Sequence, residues 1–449
     1  MRLAPACVRS AAFAAATVTV GLCHAQAAPP PLVEAPRLSG PLSLRKAVET
    51  GLRVGPAVQA MALEAHAARA ESRAVRAMAG PQLAAHTFLS TGDMMGMLSS
   101  APGVNPGASI MAPPRPSVDQ NLSLMAPIST GGRLAGLTRA ARHRVRAAEA
   151  GVGVERADTA LMIRDAYYRA LLAAEMVKVA RARVEAAAEM ERTAQVMFDV
   201  GKGIQAAVAR ARAERADGQR MLALAQNDEA AMLVELTTAM GVQPDSPVAL
   251  SDTLTEAPAP PDQVVLVAEA MRTRPDLLAA RSRMDAARAD AAAARGARGP
   301  QVYGAAMADA FAPSSMGRNG GYTVGAVVSI PLLDGGQRKA EAEVAQAMVH
   351  RAEAQLRAAE LRARSDVARA HLDALTARTG LAAAQEALTA AQEACDVALL
   401  RVQNQKAIQL ELLDAVATLT EARTNRARSL YDGLAAAARL RRAVGRTEE

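Results

Sequence analysis

Pro127-Ile128-Ser129-Thr130-Gly131-Gly132-Arg133 returns 204 residues later as Pro331-Leu332-Leu333-Asp334-Gly335-Gly336-Gln337. Both copies stand at the same kind of boundary. Upstream of the first, Val118, Gln120, Leu122, Leu124, Ala126 and Ile128 fall on alternate positions; upstream of the second, Tyr322, Val324, Ala326, Val328, Ile330 and Leu332 do the same. Downstream run Ile128–Gln243 and Leu332–Glu449, 116 and 118 residues without one of the chain's 23 prolines. A period of two is the mark of a strand, and a long proline-free run suits helix, whose interior proline breaks at about 3 kcal/mol. The quoted stretch therefore predicts a strand turning into a very long helix, twice.

The repeat extends outward in both directions. Pro56 and Gly80-Pro81-Gln82 match Pro275 and Gly299-Pro300-Gln301 at a spacing of 219, while Lys202, Ile204 and Ala239-Met240-Gly241 match Lys406, Ile408 and Ala443-Val444-Gly445 at 204. The 15-residue difference lies between Gln82 and Pro127, which marks an exposed loop. Shorter proline-free runs, Ala57–Gly80 and Asp276–Gly299, precede weaker strands at Gln82–Ser90 and Gln301–Ala310. The expected division is a signal peptide (1–27), a Pro-rich leader (28–41), a first repeat (42–241), a Pro-rich linker (242–263) and a second repeat (264–445). Each repeat reads as a helix, two strands and a helical hairpin.

Within the second long block, steps of four and three join Ala363, Val367, Ala370, Ala374, Ala377, Leu381, Ala384, Leu388, Ala391, Cys395, Ala398 and Val402, all apolar. The same positions 204 residues earlier are apolar except Thr159 and Glu191. Sustained 3.5-residue spacing is a coiled-coil seam, and its alanines permit close helix approach. The first helix is expected from Arg133 to Asp199, broken by Val200-Gly201-Lys202-Gly203; the second breaks at Asn404-Gln405-Lys406.

Composition agrees with close-packed helices. Aromatics make up 2% of 449 residues with no Trp, against 51% hydrophobic residues rich in Ala, so a thick aromatic core is excluded. The net charge of +7 comes from 52 basic and 45 acidic residues interspersed along the chain, with no basic block or recognition motif for nucleic acid. Arg2 and Arg9 precede the uncharged stretch Ser10–Leu22 and then Cys23-His24-Ala25-Gln26-Ala27-Ala28, a secretory signal with cleavage after Ala25 or Ala27. Cys395 is then the one mature cysteine, which excludes an intrachain disulfide.

Catalysis finds no foothold. His66, His86, His143, His350 and His371 form no H-E-x-x-H, there is no C-x-x-C, Walker loop or G-x-S-x-G, and Ser43-Leu44-Arg45-Lys46 fits a helix cap better than an S-x-x-K site. No cofactor and no resident metal are expected. Thr91–Pro116 holds Met94, Met95, Met97 and Met111, soft ligands that could touch Cu(I) or simply an apolar loop tip.

The alternating segments are about the 9–11 residues of a tilted membrane strand, and Phe88, Tyr303, Phe311 and Tyr322 lie in or beside them as interface aromatics do. Four strands cannot close a barrel, and lipid tolerates no open edge, so several chains must share one. In its duplicated plan, its Gly-Gly pairs and Ile408-Gln409-Leu410-Glu411-Leu412-Leu413-Asp414-Ala415 after the second break, the chain resembles the TolC family of outer-membrane efflux proteins. The resemblance implies a mainly α protein with a small β part: antiparallel coiled-coil helices forming a periplasmic α-barrel, and four strands per chain in a 12-stranded trimeric β-barrel of the outer membrane. It implies a channel partnered by a periplasmic adaptor and an inner-membrane pump. Glu411 and Asp414 are then the expected periplasmic gate, and Gly201, Lys202, Gly203, Gln405 and Lys406 the adaptor-docking turns. A periplasmic coiled-coil adaptor or stalk without a channel is the alternative.

Overall fold

The computed structural model describes residue 31 and residues 33–90, 117–311, 321–404 and 409–446. The expected signal peptide, the methionine-bearing loop and the turn residues Gln405 and Lys406 lie outside the described residues.

Two repeats of matching elements follow one another. The first comprises β1 (Gly40–Leu42), α1 (Leu44–Val54), α2 (Pro56–Ala77), β2 (Gln82–Ser90), β3 (Ser117–Ser129), α3 (Arg133–Asp199) and α4 (Gln205–Ala239). The second comprises β4 (Val248–Leu250), α5 (Gln263–Thr273), α6 (Pro275–Gly296), β5 (Gln301–Phe311), β6 (Gly321–Ser329), α7 (Gln337–Gln403) and α8 (Gln409–Val444). Local chemistry sets the starts. Ser43 caps α1 by accepting from the Lys46 amide, and Asp262 caps α5 by accepting from the Val264 amide. Pro56 and Pro275 open α2 and α6, where a missing N–H costs nothing.

The strand-to-helix corners need glycine. Gly131 and Gly132 have φ of 59° and 90°, and Gly335 and Gly336 have 61° and 88°, left-handed values that side chains resist. Beyond each corner α3 and α7 run for 67 residues apiece, about 100 Å at 1.5 Å per residue. The expected seam is realised. None of its twelve positions on α7 is exposed, and on α3 only Phe198 is. Glu191, its charged exception, is ion-paired to Arg212 and Arg215 of α4, whereas its counterpart Cys395 packs beside Leu388 and Leu419.

Side-by-side packing repeats as well. Arg69 of α2 bonds Glu149 of α3 at 2.7 Å, and the matching Arg288 of α6 bonds Glu353 of α7 at 2.8 Å. Helix α3 has a second flank: it meets α6 so closely that a Cβ on Gly136 would lie 2.7 Å from the Ala293 methyl. On that flank Arg144 bonds Asp290 at 2.6 Å, and further along α8 joins through Arg442–Asp158 and Tyr431 Oη donating to Asp165.

Where α1 meets α3, fully buried Tyr167 centres the main apolar core with Leu42, Ile163, Leu236 and Met240. Its hydroxyl lies 2.9 Å from Leu42 O and 2.8 Å from Asp252 Oδ2. The repeat-equivalent His371 places Nε2 3.1 Å from Pro261 O, the carbonyl before the α5 cap. At the other end of α2, α3, α6 and α7 stands one antiparallel sheet in the order β2-β3-β5-β6. Strand β6 stops at Ser329, short of the Leu332 that alternation predicts. As an edge strand it has a neighbour on one side only.

Candidate functional site

The sheet has two unlike faces. In one set of registered positions Leu83, Leu124, Ala306 and Val324 share a row, followed by Ala85, Leu122, Ala308 and Tyr322. The alternate rows carry Ala84, Ser123, Met307 and Thr323, with His86 beside Asn121. An apolar outer face and a more polar inner one are what a membrane barrel presents to lipid and to water. Tyr322 and Val324 are 85% and 75% exposed, so nothing within the chain covers that face. Both outer strands keep an unpaired edge. Among the described residues no helix is long and apolar enough to cross a membrane, and no group of His, Cys, Asp and Glu is placed to hold a metal ion.

At the opposite end, two hairpins turn. Gly201 takes φ of 72° in open space, whereas Gly203 is needed for room, since a Cβ there would sit 2.8 Å from the Phe198 amide nitrogen. Lys202 closes the turn by donating its N–H to Met197 O at 2.9 Å. Val196, Phe198, Val200 and Ile204 are exposed around it, an apolar tip that α3 and α4 leave uncovered. The second tip shows Val397, Leu399, Leu400 and Leu410 in the same way. The two hairpins meet just behind these tips, where Met190 of α3 packs with Ala398 of α7 and Leu412 of α8.

Glu411 and Asp414 stand three residues apart in the first turns of α8, on one helix face. The structure separates their roles. Glu411 Oε1 accepts from Arg401 Nη1 of α7 at 2.5 Å, a bond across the hairpin. Asp414 is exposed, with no described side-chain partner. Arg401 was not among the residues that spacing singled out. Its signal was available, an Arg and a Glu ten residues apart around a helix break. Which charges meet across a hairpin depends on axial register, which a heptad pattern leaves open.

Two further polar sites secure the middle of the molecule. Burial, helped by Asp252, pushes the Tyr167 hydroxyl well above its ordinary range, so it remains a donor at any physiological pH. Burial also works against the Asp252 carboxylate, but bonds from the Leu44 amide and from the Tyr167 and Ser251 hydroxyls hold it below the usual range. Arg274, 4% exposed as a side chain, bonds Asp276 at 2.7 Å and Asp366 at 2.9 Å and reaches Ala443 O at 3.2 Å. It ties the α5–α6 corner to α7 and to the end of α8.

The profile of outer membrane efflux proteins matches residues 52–242 and 266–446, once per repeat. No curated protein matches the chain. Among solved structures, the outer-membrane channel OprN is 22% identical with a TM-score of 0.74, over 90% of this chain and 89% of that one. CusC, solved in a study of folding and transmembrane channel formation, is 19% identical with a TM-score of 0.75, over 90% and 92%. The outer membrane protein VceC of Vibrio cholerae is 19% identical with a TM-score of 0.74, over 90% and 96%.

Proposed function

The chain belongs to the outer membrane efflux protein family, and from that premise we propose that three copies form the exit duct of a tripartite efflux pump. The observation that carries the reading is a four-stranded sheet with two open edges joined to two helices about 100 Å long, each folding back into a hairpin. Three such sheets supply twelve strands, enough to close a barrel, and closure is what lipid requires. A stalk needs neither the apolar face nor the sheet, so the channel reading is favoured over it.

The helices continue the duct into the periplasm. At its far end the exposed apolar tips suit a periplasmic adaptor, which would seat on Gly201, Lys202 and Gly203 and on Gln405 and Lys406. The adaptor in turn couples the duct to an inner-membrane pump. Transport here is passage through a conduit, with no bond made or broken in the cargo.

The gate is proposed at the head of α8. Three copies would bring three Asp414 carboxylates toward the narrowest opening, while each Glu411 is engaged by Arg401. Like charges gathered at a constriction favour cations, and the Arg401–Glu411 bond resists outward movement of α8 from α7. Purified protein in detergent should weigh as a trimer and give stable conductance steps in planar bilayers. A monomer that leaves bilayers silent would overturn the reading.

A further inference from the structure

The chain carries the pattern of its own closure. Its internal repeat relates β2 to β5 by 219 residues and β3 to β6 by 204. Applied to the β2–β3 ladder, these offsets reproduce the β5–β6 ladder without a slip: Ala84↔Ser123 becomes Tyr303↔Val327, a pair the structure contains. Applied to the β3–β5 ladder, they give pairs that no single chain can make. Met125↔Ala305 becomes Ser329 opposite His86, and Ser129↔Val302 becomes Leu333 opposite Leu83. The two members of each pair lie on the open edges of β6 and β2 or just beyond them.

A difference between the repeats supports the transfer. Strand β3 runs 13 residues, to Ser129, and its last four lie beyond its ladder with β2 and alongside β5. Strand β6 runs 9 residues and ends at Ser329. Residues 330–333, equivalent to those last four, are in no strand, and Leu332 and Leu333 are 92% and 95% exposed. They lack the partner that β5 gives β3. Leu83, the residue assigned opposite Leu333, is itself 67% exposed.

The helices give an independent second observation. On α3, Ala140, Ala157, Tyr168 and Leu171 are buried, at 0%, 5%, 6% and 6% exposure. Their equivalents on α7 are Val344, Leu361, Leu372 and Leu375, as apolar but 58%, 69%, 58% and 42% exposed. Two helices of the second repeat cover α3: α6 along its start, where Ala293 meets Gly136, and α8 further on, where Arg442 bonds Asp158 and Ala438 shares a core with Tyr168 and Leu171. Among the described residues neither of their equivalents, α2 or α4, packs along α7. Ala74 then faces Ala340, as Ala293 faces Gly136.

We infer that a second copy covers these surfaces in one defined register: β6 pairs with β2 of the next copy with Ser329 opposite His86, β6 extends to Leu333, and the apolar stripe of α7 packs against α2 and then α4 of that copy. The inference rests on the trimeric channel reading and adds its residue pairs. Directly opposed residues bring Cβ atoms within about 5.5 Å, whereas diagonal neighbours lie about 7–8 Å apart, their Cβ atoms slightly closer, still beyond the roughly 4 Å a disulfide spans.

The test places cysteines in the full-length protein after Cys395→Ala. Ser329→Cys with His86→Cys should shift most of the chain, on oxidation in membranes, to reducible covalent dimer and trimer. Ser329→Cys with Ala84→Cys, on the same face but displaced by one pair, should not. Ala340→Cys with Ala74→Cys checks the helical seam should the strand variant fail to assemble. Cross-linking of the displaced pair, or of neither the first pair nor the helical one, in protein that still weighs as a trimer overturns the register and leaves the channel reading standing. Monomeric mass for the Cys395→Ala parent overturns both.

Discussion

Arg401→Ala tests the proposed gate most directly. Arg401 and Glu411 are 51% and 40% exposed as side chains and meet at 2.5 Å across the tip of α7 and α8. A half-exposed ion pair contributes about 0.7 kcal/mol, inside the range of double-mutant measurements. In the proposed trimer three copies share one opening, so losing all three pairs would withdraw about 2 kcal/mol from the closed state, roughly a 30-fold change in the closed-to-open ratio. Single-channel recording in planar bilayers at 0.1 M salt should show that rise in open probability. At 1 M salt the difference should shrink, since the screening length falls from about 10 Å to about 3 Å. Arg401→Glu combined with Glu411→Arg re-creates the pair with its polarity reversed and should restore closure. An unchanged open probability in Arg401→Ala, or a reversed pair that behaves like the single variant, would refute the assignment of the latch to this bond.

Tyr167→Phe should destabilise the protein by about 1.5 kcal/mol, the lower end for a hydrogen bond involving a charged group. The loss stays small because Asp252 keeps the Leu44 amide and Leu42 O keeps the Ser251 amide; denaturant titration in detergent measures it. Asp276 gives a pH signature. Burial raises its pKa, but the Arg274 guanidinium overrides this and holds it below the usual range. Its contribution is therefore complete above the unfolded value of about 3.9 and is lost as pH falls through the lower folded value. Compared with Asp276→Asn, the native protein should hold a stability advantage at pH 7 that disappears in strong acid. A constant difference across unfolding curves from pH 7 to pH 2 would refute it.

Much of the architecture was legible because it rests on periodicity. Prolines bounded the helices, Gly131-Gly132 and Gly335-Gly336 marked the corners, and α3 spans the predicted Arg133–Asp199. The strands could be read from alternation, yet Tyr322–Leu332 ended early at Ser329. Alternation encodes a face, while a ladder needs a neighbour, and β5 begins at Gln301, opposite Ser329. The polar locks were the least legible. Asp252 sits in a linker without period, and only the folded path brings it to Tyr167, 85 residues away. Arg274 belongs to a short corner and meets Asp366 from a distant helix. Glu411 and Asp414 could be singled out by position. That one is bonded and the other exposed follows from how α7 and α8 align, which the sequence pattern does not state.

The equal 67-residue spans of α3 and α7 make reach a shared quantity. Adding one heptad to α3 alone would carry its tip about 10 Å past that of α7 and pull Met190 off Leu412. The returning helices α4 and α8 would have to grow as well, or their hairpins would end out of step. A protein of this design can be re-gauged to a wider or narrower cell envelope only by changing four helices together, in increments of whole heptads. Single insertions belong instead in the stretch between Gln82 and Pro127, where the two repeats already differ in length.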